Sequence, residues 1–167
     1  MTNPVVDEFK DAFRGHPAGV AIITASGPDG PVGLTASSVT SVSAVPPILA
    51  FSLASAQGSA GVIAGSDTIV VHLLGAENAG LAALFAARGS ERFGSGLDWS
   101  RLPGGEPLLG GVPRALHCRV LSRTQAGSST LVAAAVLEIH SGPAADPLVY
   151  HDRTYHRLGS HSALGRP

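Results

Sequence analysis

The residues best suited to chemistry form one uncharged, hydroxyl-rich stretch. From residue 30 to residue 66 the chain has no Asp, Glu, Lys or Arg. Inside it, Gly33-Leu34-Thr35-Ala36-Ser37-Ser38-Val39-Thr40-Ser41-Val42-Ser43 carries six hydroxyls in eleven residues. Small side chains let a ligand approach the backbone, and N–H and O–H groups donate without a competing charge. Such a surface suits a flat polar heterocycle with a sugar-like chain better than a metal or a phosphodiester. The plain alternative is an exposed, Ser/Thr-rich edge strand.

Other candidates are weaker. His72 stands inside an apolar run and reads as a structural histidine. His117 and His140 alternate with buried positions, facing solvent or a subunit. His151, His156 and His161 recur every five residues, which matches neither one helical face nor strand alternation, so a metal site is not expected there. Cys118, the single cysteine, permits no intrachain disulfide, and strand alternation turns its neighbours His117 and Arg119 to the opposite face, so it reads as core packing. There is no GxSxG elbow, no GxxxxGK[ST] and no strand-following GxGxxG. Trp99 and Tyr155 lack the interleaved basic residues of a nucleic-acid surface.

The elements that must position these residues read mostly as strands. A helix is predicted over residues 5–14, closed by Gly15-His16-Pro17. Strands are predicted at 19–24, at 32–37 and 40–43 as one returning strand with a break, and at 48–53 behind Pro46-Pro47. A helical turn at 59–65, a strand at 68–74 and a helix at 77–88 ending on Gly89 follow. Residues 94–111 read as loop, and 115–124 and 131–140 as strands. Residues 148–151 and 154–158 read as a hairpin around Asp152-Arg153, with a loose tail from 159. About seven strands against three helices, arranged as hairpin neighbours, predict a mainly β, closed antiparallel barrel with a few peripheral helices. No linker or repeat divides residues 1–167, which read as one domain with its core at about 9–158.

Composition bounds the rest. The 167 residues carry 11 Lys+Arg against 12 Asp+Glu, a net charge of −1, which excludes a globally basic nucleic-acid binder or a polybasic membrane anchor. Charged residues are only 14%, so the uncharged stretch must be placed where it is useful. Residues 1–10 hold Asp7, Glu8 and Lys10 and no apolar leader, and no run is long and apolar enough to span a membrane. A cytoplasmic protein is expected.

Phe13-Arg14, Ala18-Gly19-Val20-Ala21-Ile22-Ile23-Thr24, the Gly33–Ser43 block and Pro46-Pro47-Ile48-Leu49-Ala50-Phe51-Ser52-Leu53 together resemble the flavin reductase-like family. The resemblance continues through Ile69-Val70-Val71-His72-Leu73-Leu74, Glu91-Arg92-Phe93, Leu108-Leu109-Gly110-Gly111 and Pro147-Leu148-Val149-Tyr150. It implies an antiparallel FMN-binding split barrel, a homodimer, and reduction of FMN or FAD by NADH or NADPH for a separate flavin-dependent monooxygenase. It implies that Thr35, Ala36, Ser37 and Ser38 follow the flavin ring edge and ribityl chain, with Ser52 and Leu53 on the neighbouring strand. Ser59, Arg92 and Phe93 are then at the phosphate end. One departure stands out. Where the family commonly has Gly-Asp-His near the nicotinamide, this chain has Gly127-Ser128-Ser129, with Ser129 at the histidine position. His151 or His156 is a candidate substitute. The alternative left open is a flavin-binding protein of this fold without efficient NAD(P)H turnover, serving as a carrier or sensor. A third option is the same barrel holding a deazaflavin or haem.

Overall fold

The computed structural model describes residues 3–167. Helix α1 (Pro4–Arg14) starts on an Asn3 cap whose side chain accepts from the Val5 N–H. Strands β1 (Ala18–Gly19), β2 (Ala21–Gly27), β3 (Gly30–Ala36), β4 (Thr40–Ala44) and β5 (Pro47–Leu53) follow. Then come α2 (Gly58–Gly65), β6 (Thr68–Leu73), a 3₁₀ turn (Ala76–Asn78) and α3 (Ala79–Ala86). A short hairpin of β7 (Trp99–Arg101) and β8 (Pro107–Leu109) precedes the long β9 (Arg114–Ala126) and β10 (Ser129–Ser141). Strands β11 (Leu148–His151) and β12 (Thr154–Arg157) and a 3₁₀ turn (Ser160–Ser162) close the chain. Among the described residues no helix is long and apolar enough to cross a membrane.

The main sheet has seven strands in the order β3-β2-β6-β9-β10-β5-β4, and all its pairings are antiparallel. The mainly β, antiparallel architecture with few helices is as the sequence predicts. The reading of residues 32–37 and 40–43 as one interrupted strand is corrected. β3 and β4 are the two opposite edges of the sheet, joined only by residues 37–39. Four Cα steps span at most about 15 Å, so the sheet must curl until its edges nearly meet. Bulges between Ala133 and Ala134, between Val136 and Glu138, and between Ser41 and Ser43 supply part of that bend. No backbone ladder joins β3 to β4 among the described residues. The barrel is split along that seam.

The Val20-Ala21-Ile22-Ile23 run is continuously apolar because β2 is buried on both faces. Ala21, Ile23 and Ala25 join Phe51, Ile69, Val71, Cys118 and Val132 in one cluster. Ile22 and Val70 point the other way, onto Phe85, Leu109, Val112 and Leu148. Burial of a side chain the size of Phe85 contributes roughly 1.5–3 kcal/mol.

Two further predictions are revised. The helix foreseen at 77–88 is shorter, because its last carbonyls are taken by later side chains. Ser90 donates to Leu84 and Ala87 carbonyls, and Arg92 also donates to Ala87. Residues 94–111, read as loop, hold the β7–β8 hairpin. Three-residue strands carry little pattern of their own. This one is held by tertiary bonds, from Thr24 Oγ1 to the Pro107 carbonyl at 2.6 Å and from the Leu109 N–H to His72.

Candidate functional site

The curl of the sheet brings β3, its connector, β5 and the start of α2 around one depression of about 550 Å³. Thr35, Ala36, Ser37, Ser38, Ser52, Leu53, Ser59 and Arg92 all line it. Eight of the residues singled out from sequence therefore meet in space. No carboxylate lines the depression, and Arg88 and Arg92 give it a positive rim.

Not every hydroxyl is free. Thr35 Oγ1 donates to the Ala82 carbonyl at 2.6 Å, fastening α3 to β3. Ser38 Oγ accepts from the Ser52 N–H at 3.0 Å and lies 3.2 Å from the Ser52 carbonyl, pinning the connector to β5. These two side chains build the wall, whereas Ser37 is exposed in it. Arg92 is a clamp. Its Nη1 donates to the Gly33 carbonyl at 2.6 Å and to Ser59 Oγ at 2.9 Å, and its Nη2 to Ala87 at 2.9 Å. Gly33 has no room for a larger residue, since a Cβ there would sit 2.6 Å from the Phe85 ring.

The end of the depression at Ser59 and Arg92, where the resemblance implies a phosphate, has a donor set to match. Gln57 makes no side-chain cap on α2, and the first bond of the helix runs from the Gly61 N–H to the Gln57 carbonyl. The amides before Gly61 therefore face outward beside Ser59, at the positive end of the helix dipole. Arg92 Nη2 spends one of its two N–H groups on the Ala87 carbonyl and keeps the other. Uncapped amides, an arginine with a spare donor and no opposing acid fit an anionic phosphate. The small-residue, hydroxyl-bearing wall fits a flat polar ring, and the volume is ordinary for a ligand cleft. The residues present fit a flavin nucleotide.

Phe93 and Ser129 are placed differently. Phe93 lines a neighbouring cavity beyond Arg92. Ser129 lies at the start of β10, after the tight turn at Gly127, whose φ is +62°. Its neighbour Thr130 pairs with Leu53, so Ser129 stands one residue past the β10–β5 ladder and outside the lining. His151 and His156 do not line the depression either. Strand alternation sends Tyr150 and Tyr155 toward Thr35 and Ser37, where they line a small adjoining cavity.

Two histidines settle into structural roles. His72 is fully buried, with Nδ1 3.0 Å from the Ile22 carbonyl and Nε2 accepting from the Leu109 N–H at 3.0 Å. Burial pushes its pKa down to about 4, so the ring is neutral and carries its proton on Nδ1. The structural reading of His72 holds. His117 is a correction: it does not simply face solvent, because its Nε2 lies 3.2 Å from Oε1 of the buried Glu106. Thr68 donates to the same oxygen. Burial alone would raise the Glu106 carboxyl, but the bonds from Thr68, its own N–H and His117 hold it below the ordinary value. Sequence reading missed this cluster, and a lone glutamate between Gly105 and Pro107 offers no signal of burial. Cys118 is buried and its thiol is pushed up to about 12, as core packing requires.

Residues 13–159 match the flavin reductase like domain. The chain belongs to the flavin reductase-like family. An NADH:FMN oxidoreductase of Rhodococcus qingshengii is 37% identical over 154 residues, spanning 90% of this chain and 80% of that protein. The crystal structure of a flavin reductase domain protein from Arthrobacter sp. FB24 superimposes with a TM-score of 0.86 at 38% identity, covering 92% of this chain and 96% of that one. The styrene monooxygenase flavin reductase of Pseudomonas putida S12 superimposes with a TM-score of 0.81 at 26% identity, covering 91% and 97%. These solved relatives share the fold described above.

Proposed function

We propose that the chain is an NADH-dependent flavin reductase that binds FMN or FAD in the seam depression and supplies reduced flavin to a separate monooxygenase. The observation that carries this is the coincidence, in one acid-free cleft, of the Thr35–Ser38 wall with the Ser59–Arg92 phosphate end. The flavin, when bound, supplies the hydride-accepting ring, and NADH is the donor by likeness to the Rhodococcus relative. The chain's own part is positional. Arg92, Ser59 and the α2 amides hold the phosphate, and Ser37 with the β3 and β5 backbone orients the ring. Amides and hydroxyls aimed at the ring carbonyls stabilise the negative charge gained on reduction. An open depression suits a flavin that must leave.

The protein works as one cytoplasmic domain and pairs with a second copy. α1 buries none of its residues, although Val5, Phe9 and Phe13 are apolar. Leu121, Leu131, Leu137 and Ile139 lie exposed on β9 and β10. Sedimentation at twice the 16.8 kDa chain mass is expected.

A second reading rests on Ser129. With serine where the family commonly has histidine, and no histidine lining the depression, the chain would bind flavin without efficient turnover. Purified protein, FMN or FAD and NADH, followed by the loss of nicotinamide absorbance, separates the two. Turnover supports the reductase. Tight flavin binding without oxidation supports the carrier, and no flavin binding sinks both.

A further inference from the structure

The depression does not end at Arg92. Ser59 and Arg92 are also the near wall of a second cavity of about 440 Å³, whose lining includes Phe93, Trp99, Arg101 and Glu91. Trp99 opens β7 and meets Phe93 edge-on, ring centroids 5.0 Å apart, and Phe93 meets the buried Phe85 at 5.4 Å. The two aromatics are thus braced by the core. The Arg101 guanidinium lies 5.2 Å from the centre of the Trp99 ring.

Aromatic rings and a planar guanidinium are the surfaces on which a heterocyclic base stacks. An arginine fork recognises phosphate, and a carboxylate such as Glu91 accepts from an exocyclic amine. An adenosine phosphate uses all of these. We propose that this second cavity takes the adenylate half of a dinucleotide, and that the chain therefore prefers FAD to FMN. The proposal rests on the reading of the first depression as the flavin site, because Ser59 and Arg92 are both its phosphate end and the entrance to this one. NADH carries the same adenylate chemistry. The shared wall with the flavin phosphate favours FAD, and the test keeps the two sources apart.

Trp99 is the only tryptophan in the chain, so its emission reports on this cavity alone. AMP titrated into flavin-free protein is expected to change that emission saturably, and Arg101→Ala to weaken the response several-fold. By flavin-fluorescence titration FAD is expected to bind about tenfold tighter than FMN, the factor one base–aromatic stack supplies. Trp99→Leu should close that gap and leave FMN affinity within about twofold; Arg101→Ala serves the same comparison if Trp99→Leu does not fold. Equal FMN and FAD affinities, with AMP competing against NADH in turnover, would assign the cavity to the nicotinamide dinucleotide and overturn the FAD preference. Equal affinities with no AMP response would overturn the adenylate cavity itself. Failure of both flavins to bind would overturn the flavin reading, an outcome distinct from FMN binding without an FAD advantage.

Discussion

Arg92 Nη1 donates to the Ser59 hydroxyl at 2.9 Å, joining the loop after α3 to the first turn of α2 across 33 residues. The same guanidinium holds β3 through Gly33 and the end of α3 through Ala87. One cation thus fixes the geometry of the cleft.

Arg92→Ala is expected to weaken FMN binding by about 10–100-fold, the range of a lost charge-assisted contact. Riboflavin, which has no phosphate, should lose much less. Unfolding free energy should fall by about 2–4 kcal/mol, because three carbonyl or hydroxyl acceptors lose a charged donor. Arg92→Lys restores the charge but not the fork, and should recover little of that stability. Fluorescence titration with both ligands and urea denaturation check this. Equal losses for FMN and riboflavin would show that Arg92 acts on the fold alone.

His72 makes stability depend on pH. Its folded pKa of about 4 lies below the ordinary 6.5, so the unfolded chain binds the extra proton between those values. The contribution is complete above pH 6.5 and is lost as pH falls toward 4, by about 3 kcal/mol in all. His72→Gln, which cannot titrate there, should be less stable at pH 8 but flatter below 6.5. Parallel wild-type and variant curves of urea midpoint against pH would refute this.

Glu106 ties the Trp99 hairpin to the barrel through Thr68 and His117. Its carboxyl is held below the ordinary value despite burial. The stabilisation is therefore present above the ordinary carboxylate range and lost as pH falls through the lowered pKa. Thr68→Val and Glu106→Gln should each cost about 1–3 kcal/mol, with a double-mutant coupling near ~1 kcal/mol. Trp99 emission during denaturation reports whether the hairpin loosens first. Additive effects would mean that the two side chains act independently.

Ser129→His tests the position next to the cleft. A histidine there should raise kcat/KM for NADH by about tenfold, the increment of one good hydrogen bond. FMN affinity should not change, because Ser129 lies outside the flavin depression. Steady-state kinetics with NADH varied is the measurement. A change in flavin affinity with none in KM would move the residue's role to the flavin.

Much of the fold was legible in the sequence because its signals are local. The apolar β2 run, the turn at Asp152-Arg153 with φ of 46° and 62°, and the strands to either side of Gly127 all follow from side-chain pattern and turn chemistry. The candidate wall was legible for the same reason: Thr35, Ala36, Ser37 and Ser38 are contiguous. The β7–β8 hairpin was not, since three-residue strands form only where His72 and Thr24 hold them.

The chain by itself determined which residues carry no charge, which carry hydroxyls, and that β-branched runs alternate with turns. Those properties reside in single residues and their near neighbours. Tertiary structure alone decided which hydroxyls are spent on the wall and which face the cleft. Thr35 turns to Ala82 and Ser38 to Ser52, partners 47 and 14 residues away. It also decided that Arg92 meets Ser59, and that Phe93 joins Trp99 beyond it. Hydrogen bonds and stacked rings reach only a few ångströms, so their partners are set by where the curled sheet brings distant segments together.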